Sequence, residues 1–261
     1  MLCPCLKMDS EMLPVFKQGE TDFRFCTGCG LVTRERFPTP DELDDIYRQA
    51  YAEEKIGAGA TNQESGDFAV YSYADFMLRE IVRPGMRVLD YGAASGALVE
   101  RLRRSGIEAE GMEFATDARE YCRSHRGFDL MASLEGVPPG RYQAASMIEV
   151  IEHLTDLRGA LAQLRHVITP GGLLFVTTPN RKALRARLEG GNWREAKKKF
   201  HLFLFDQKSL KYHLEAAGFE VVRRVVFGPL QRPGFKFFMA ARLMQAVGMQ
   251  GTLCIIARHI V

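Results

Sequence analysis

Glu149-Val-Ile-Glu152-His153 places two carboxylates and an imidazole within five residues, directly after a short, mostly apolar run, Gln143 to Ile148. If the chain enters a helical turn there, the three side chains stand at i, i+3 and i+4 and share one face. Such a face supports two kinds of chemistry. A histidine near neutral pKa can take the proton of a hydroxyl group and turn its oxygen into a nucleophile. Two carboxylates and an imidazole also suit a hard divalent ion, magnesium or manganese, which lowers the pKa of a bound hydroxyl directly. The remaining role is local, with Glu152 and His153 capping and orienting the turn.

A second cluster of chemistry-bearing residues lies at the front. Four of the six cysteines, Cys3, Cys5, Cys26 and Cys29, fall within the first 29 residues. In Cys26-Thr-Gly-Cys29-Gly30 two thiolates are separated by two residues, which suits one tetrahedral ion, and Gly30 permits the turn behind them. Cys3-Pro-Cys5 is the complementary pair, with one intervening residue where zinc knuckles use two to four. The expectation is a structural zinc held by all four thiolates, with no open position for chemistry; the other reading is a degenerate ribbon whose thiols are merely present. Cys122 and Cys254, in apolar surroundings, are expected to pack in a helix and a strand.

The third feature is a turn. Val88 and Leu89 lead into Asp90, the stretch Gly92-Ala-Ala94-Ser-Gly96 follows, and Ala97 to Arg104 is amphipathic. Strand, tight turn and helix in that order let the backbone approach a ligand and aim helix N–H groups into the crevice at the strand's carboxyl end. After a second apolar run, Glu113 stands where such folds place a carboxylate for a ribose hydroxyl pair. The turn lacks the third glycine of the dinucleotide fingerprint, and the chain has no G-x-x-x-x-G-K-[ST] phosphate loop. The pattern points to a nucleoside ligand, with Ala94 tolerated provided that its φ is negative.

Positioning these residues requires a regular scaffold. Residues 1–37 form the candidate ribbon and 38–84 a helical linker or lid, with helices expected at 40–55 and 68–82 and a link at 56–66. From 85 to 261 short apolar runs alternate with amphipathic ones. Strands are expected near 86–91, 107–113, 128–132, 143–149, 173–178, 219–227 and 252–259, and helices near 97–105, 115–124, 157–168 and 207–217. This is an α/β chain with a Rossmann-like, seven-stranded, mostly parallel sheet covered by helices on both faces.

Asp90-Tyr91-Gly92-Ala93-Ala94-Ser95-Gly96 resembles motif I of the class I S-adenosylmethionine (SAM) methyltransferases, with Ala94 at the middle glycine. Thr169-Pro-Gly-Gly172 and Leu214-Glu-Ala-Ala-Gly-Phe219 resemble later landmarks of that fold, in which the seventh strand inserts antiparallel. The E-x-x-E-H stretch is similar to that of ubiquinone-biosynthesis O-methyltransferases and of small-RNA 2′-O-methyltransferases, and His201 matches a fourth metal ligand of the RNA enzymes. The Cys29-Gly30-Leu31 stretch, the prolines at 38 and 40 and the run to Tyr51 resemble SAM methyltransferases fronted by a zinc ribbon. The resemblance implies SAM contacts from Asp90, Tyr91, Gly92, Ala94, Gly96, Glu113, Phe114, Ser133, Leu134 and Glu149. In it Glu113 takes the ribose, Phe114 and Ser133-Leu134 flank adenine, and Asp90 lies near the methionine end. Catalysis would fall to His153, Glu149 and Glu152, or to a magnesium or manganese ion on Glu149, Glu152, His153 and His201.

The bulk composition is that of an ordinary globular protein, 46% hydrophobic and 26% charged. The net charge of +3 is too small to imply nucleic-acid binding by itself. No run approaches a membrane span and the start lacks a signal-peptide pattern, so a cytoplasmic protein with reduced thiols is expected. Residues 181–199 carry eight basic side chains in nineteen, either a solvated helix face or a lid for an anionic acceptor. Residues 235–249 read as a helix over the acceptor pocket or as a dimer contact. The preferred function is methyl transfer from SAM to a hydroxyl of a small metabolite, for instance a sugar nucleotide or natural-product intermediate. The alternatives are a metal-dependent RNA 2′-O-methyltransferase and a non-catalytic SAM-binding scaffold.

Overall fold

In a computed structural model the chain is described at residues 3–5, 10–18, 21–39, 42–43, 45, 60–225 and 249–260. Most of the helix expected at 40–55, and nearly all of the segment 235–249, lie outside these residues. The chain divides into two compact units. One comprises Met1–Pro38, Ile148–Arg165 and Phe175–Ile260, and the other Thr39–Met147 with His166–Leu174.

The second unit carries the turn. Helix α1, Ala60–Glu80, is followed by strand β4, Arg87–Tyr91, helix α2, Ala97–Arg104, strand β5, Glu108–Met112, helix α3, Thr116–Arg126, and strand β6, Tyr142–Ile148. Strand β4 is buried from Val88 to Tyr91 and pairs in parallel with β5 on one side and β6 on the other. Burial on both faces explains why its sequence reads as a continuous apolar run rather than an alternating one. Helix α2 buries Leu98, Val99 and Leu102 along one stripe and points Arg101, Arg103 and Arg104 outward, and Arg101 bonds Asp75 of α1 at 2.9 Å.

The first unit opens with an antiparallel meander: β1, Met12–Gln18, β2, Thr21–Cys26, and β3, Val32–Arg34. Helix α4, Leu157–Val167, and strand β7, Ile168–Pro179, are each divided between the two units; the first unit continues with the short helices α5, Leu184–Glu189, and α6, Arg194–Lys197, strand β8, Phe203–Leu204, helix α7, Gln207–Ala216, and strands β9, Phe219–Arg224, and β10, Thr252–His259. Strand β8 joins the meander, giving the order β1-β2-β3-β8, and the larger sheet has the order β5-β4-β6-β7-β10-β9. Strand β10 runs antiparallel to β9, with Ile255 opposite Arg224 and His259 opposite Phe219.

Three expectations change. The third strand, expected near 128–132, shrinks to a single parallel bridge between Met112 and Met131, so six strands form the larger sheet among the described residues. The stretch 60–66, expected to belong to a link, is the first part of α1, since only Gly66 interrupts its helix-compatible residues from Ala60 on. Strand β7 starts at Ile168 and draws in Thr169-Pro-Gly-Gly172, whose Pro170 lies at the strand's exposed start, where a missing N–H is tolerated.

Candidate functional site

The turn after β4 is built by backbone hydrogen bonds. Gly92 and Ala93 both donate to Met112 O, and Gly96 donates to Ala93 O. Gly96, with φ 79°, is the N-terminal cap of α2, and no side chain occupies that cap. A Cβ on Gly96 would stand 2.6 Å from Cys122 Sγ, so the buried thiol and the glycine require each other. Ala94 departs from expectation: its φ is +46°, in the left-handed region, and not negative. The carboxylate of Glu113 holds it there, with Oε2 accepting from Ala94 N at 2.8 Å while Oε1 accepts from Ala115 N at 2.8 Å.

Glu113 is 7% exposed, and an ionised carboxylate offers about four acceptor positions, so two remain for a ligand's paired hydroxyls. Phe114 is the exposed aromatic beside it, 55% accessible and edge-on to Tyr91 at 5.8 Å. After the Met131 bridge, Leu134 is buried and Ser133 exposed. Asp90 is almost fully buried, and its Oδ1 accepts from Ser146 at 2.8 Å. Burial pushes its carboxyl up to about 7; the Ser146 hydroxyl opposes the rise and the charge of Glu113 adds to it.

The carboxylate–histidine stretch folds differently from a helical turn. Glu149 has φ +53° and stands outside the helix; a single tight turn, Ile151–His153, follows it. Glu149 therefore does not share a helical face with Glu152 and His153. Its Oε1 accepts from Thr177 at 2.9 Å, while Oε2 of Glu152 accepts from Thr178 at 2.9 Å. Burial and the neighbouring Glu152 charge raise Glu149 to about 8. In its place His201 completes the group: ligand atoms of Glu152, His153 and His201 lie within 4.8 Å of one another. His153 stacks on Phe200 with ring centroids 5.0 Å apart and meets His201 edge-on at 4.8 Å.

Glu152 Oε1 and His201 Nδ1 are buried without a hydrogen bond. His153 Nε2 lies 3.7 Å from Glu152 Oε1. Burial, with His153, Lys198 and Arg34 nearby, drives His201 far below the usual histidine range, so its imidazole is neutral. A neutral imidazole and an unsatisfied carboxylate oxygen are donors that a cation would satisfy.

The four front cysteines converge. Sγ atoms of Cys3 and Cys29, and of Cys5 and Cys26, are 3.5 Å apart, and all four lie within 4.8 Å of one another. Four thiolates about 2.3 Å from one tetrahedral ion would be spaced at about 3.8 Å, so the set fits zinc. The Cys29 thiol is held down to about 3, first by its bond to Cys3 and, against the cost of burial, also by His213. Cys122 and Cys254 are buried in α3 and β10.

A sequence profile of the methyltransferase domain matches residues 67–224. The chain belongs to this methyltransferase family. S-Adenosylmethionine is the donor that goes with it, and the turn of Asp90 and Glu113 is its candidate cradle. The ubiquinone biosynthesis O-methyltransferase of Xanthomonas campestris pv. campestris (strain B100) is 28% identical over 116 residues, 41% of this chain and 48% of that protein. The chain spans about half the length of the curated relatives it matches. The structure of Burkholderia thailandensis 1,6-didemethyltoxoflavin-N1-methyltransferase, with 1,6-didemethyltoxoflavin and S-adenosylhomocysteine bound, is similar at TM-score 0.59 and 14% identity, over 95% of this chain and 99% of that one. A 4+2 cyclase is similar at TM-score 0.61 and 19% identity, over 86% and 97%. The fold is shared between different reactions, so it does not name the acceptor.

Glu195, Arg34, Thr177, Thr178 and His213 were not legible as site residues. Glu195 is 7% exposed and held below the usual carboxylate range, despite its burial, by Lys198 and Arg194. In the basic stretch 181–199, Arg181 and Lys182 pair with Asp206, Arg185 with Glu189, and Arg194 and Lys198 with Glu195. Five of its eight cations are thus matched by carboxylates of the same unit. No helix among the described residues is long and apolar enough to cross a membrane.

Proposed function

We propose that this chain transfers the methyl group of SAM to a hydroxyl oxygen of a small metabolite, and that Glu152, His153 and His201 activate that oxygen. The supporting observation is the pairing of two buried unsatisfied atoms, Glu152 Oε1 and His201 Nδ1, with the half-buried ring of His153. A hydroxyl is a poor nucleophile while protonated, and His153 is the group suited to take its proton during in-line displacement at the donor methyl. The relatives named ubiquinone biosynthesis O-methyltransferase favour oxygen as the acceptor atom. A sugar nucleotide or natural-product intermediate remains the proposed acceptor class, although the paired cations of residues 181–199 leave less free positive charge for an anion than the composition implied.

A second reading is favoured by the same unsatisfied atoms. Glu152, His153 and His201 would hold magnesium or manganese, which lowers the pKa of a coordinated hydroxyl. Glu149, bonded to Thr177 and raised in pKa, stands beside that set rather than in it. Cys3, Cys5, Cys26 and Cys29 would hold a structural zinc. The test is turnover of labelled SAM against a panel of phenolic, catecholic and sugar hydroxyl acceptors, before and after EDTA and with added Mn²⁺. Methylation that survives EDTA unchanged supports His153 as base. Loss restored by Mn²⁺ supports the cation. Exclusive labelling of nitrogen or carbon acceptors would remove the hydroxyl assignment.

A further inference from the structure

We propose that Arg34 is a positioning residue for the Glu152–His153–His201 cluster, so that the cysteine ribbon is part of the scaffold that places His201. The proposal rests on the reading of that cluster as the acceptor-activating site. Arg34 lies five residues after Cys29, on β3, and is only 5% exposed. Its guanidinium makes three hydrogen bonds to main-chain carbonyls of one segment: Nε donates to His201 O at 2.8 Å, and Nη2 to Lys198 O at 2.9 Å and Ala196 O at 3.2 Å. Its own N–H donates to Leu202 O at 2.9 Å, and Leu202 N donates to Glu152 O at 2.8 Å. Strand β3 pairs directly with β8, Val32 opposite Leu204 and Thr33 opposite Phe203. The guanidinium carbon sits 4.7 Å from the Phe23 ring centroid, which fixes its plane.

Two features separate this from an ordinary fold-stabilising arginine. First, the carbonyls it binds are those of Ala196, in the only turn of α6, and of Lys198 and His201 just beyond it. One planar fork satisfies three acceptors there, which an ammonium group cannot reproduce in the same geometry. Second, His201 Nδ1 has no hydrogen bond. The Glu195 carboxylate lies 3.8 Å from Nδ1, beyond hydrogen-bond reach, while the main chain of His201 is held on both sides, by Arg34 at O and by Lys198 O at N.

The test uses the full chain. Arg34→Lys keeps the charge and loses the fork; Cys26→Ser removes one ribbon thiolate. The readouts are the imidazole ¹H–¹⁵N signals of His153 and His201, Mn²⁺ affinity by electron paramagnetic resonance, bound zinc, and S-adenosylhomocysteine affinity by calorimetry. The expected result for Arg34→Lys is shifted His201 and His153 signals and Mn²⁺ affinity lower by about tenfold or more, the size typical of outer-shell losses. Zinc content and S-adenosylhomocysteine affinity should match wild type. Cys26→Ser, where it folds, should move the same two histidine signals. Histidine spectra of Arg34→Lys that superimpose on wild type would overturn the proposal. Failure of the underlying cation reading shows separately, as His201→Ala binding Mn²⁺ like wild type, and the histidine signals still decide the role of Arg34.

Discussion

Glu113 and Glu152 are both buried carboxylates in a methyltransferase, yet they are solved differently. Each oxygen of Glu113 accepts a main-chain N–H, one from Ala94 and one from Ala115, so the residue is pinned before any ligand arrives. Glu152 has one oxygen on Thr178 and leaves the other without a hydrogen bond in a site only 1% exposed. Donor recognition is a backbone problem, since every SAM molecule presents the same ribose. Acceptor activation needs a group whose state changes during the reaction, and an unsatisfied buried oxygen is costly, about 1–3 kcal/mol, unless a ligand completes it. On the proposed reading, the donor end is preorganised by main-chain N–H groups two and nineteen residues from Glu113, whereas the acceptor end is completed by side chains from Glu152 to His201 and by what binds there.

The largest effect should come from breaking the acceptor end alone. His153→Ala or Glu152→Gln should lower methyl transfer by about 10²–10⁴-fold, the usual range for losing proton-transfer catalysis. Affinity for S-adenosylhomocysteine, measured by calorimetry, should stay at the wild-type value. A parallel fall in that affinity would erase the separation between the two regions.

The converse variant is Glu113→Ala. Losing a charged acceptor of two ribose hydroxyls should weaken S-adenosylhomocysteine binding by about 10–100-fold, from about 1.5–3 kcal/mol per hydrogen bond to a charged group less what solvent restores. The histidine signals of the acceptor cluster should not move. Unchanged calorimetric affinity would remove the ribose assignment.

How much was legible follows the same division. Asp90, the glycines of the turn, Glu113 and the alternation of apolar runs with helices are local patterns, and the strands and helices of the larger sheet follow them within a few residues. The third strand failed because Leu130 and Met131 support only one bridge to β5. The placing of Glu149 failed because a left-handed residue after a strand leaves no mark on side-chain periodicity. His201 was visible only through family resemblance. Arg34 was invisible, because nothing in Val-Thr-Arg marks the pairing with β8 or the burial of these three residues.

Asp90 offers a third test, through pH. Its folded pKa of about 7 lies above the ordinary 3.8, so the native state keeps a proton that the unfolded chain has released between those values. Its contribution to stability is therefore present below about pH 4 and is lost as pH rises through 7. Urea unfolding at pH 5 and pH 8 should show wild type losing stability, and Asp90→Asn losing less, by a difference on the order of 1–3 kcal/mol. The same variant should bind the cationic donor SAM more weakly. Equal pH slopes for the two proteins would show that the carboxyl titrates normally.

The smallest effect is the finest probe of the donor turn. Ala94 is held at φ +46°, where an L-residue with a Cβ is strained by about 1–2 kcal/mol, whereas glycine is not. Glycine's greater freedom in the unfolded chain offsets about 0.5–1 kcal/mol of that relief. Ala94→Gly should therefore raise unfolding free energy by about 0.5–1 kcal/mol while the Glu113 bond to the residue 94 N–H survives. Gly96→Ala, two residues on, should do the opposite, because φ 79° and a Cβ 2.6 Å from Cys122 Sγ leave no room. Gly96→Ala combined with Cys122→Ala should recover part of the loss, since it removes the sulfur contact and leaves the Phe128 ring 3.0 Å away and the backbone strain. Denaturant melts of wild type and the three variants decide it. A destabilised Ala94→Gly would mean that the alanine methyl packs in the turn with a contact worth more than its strain.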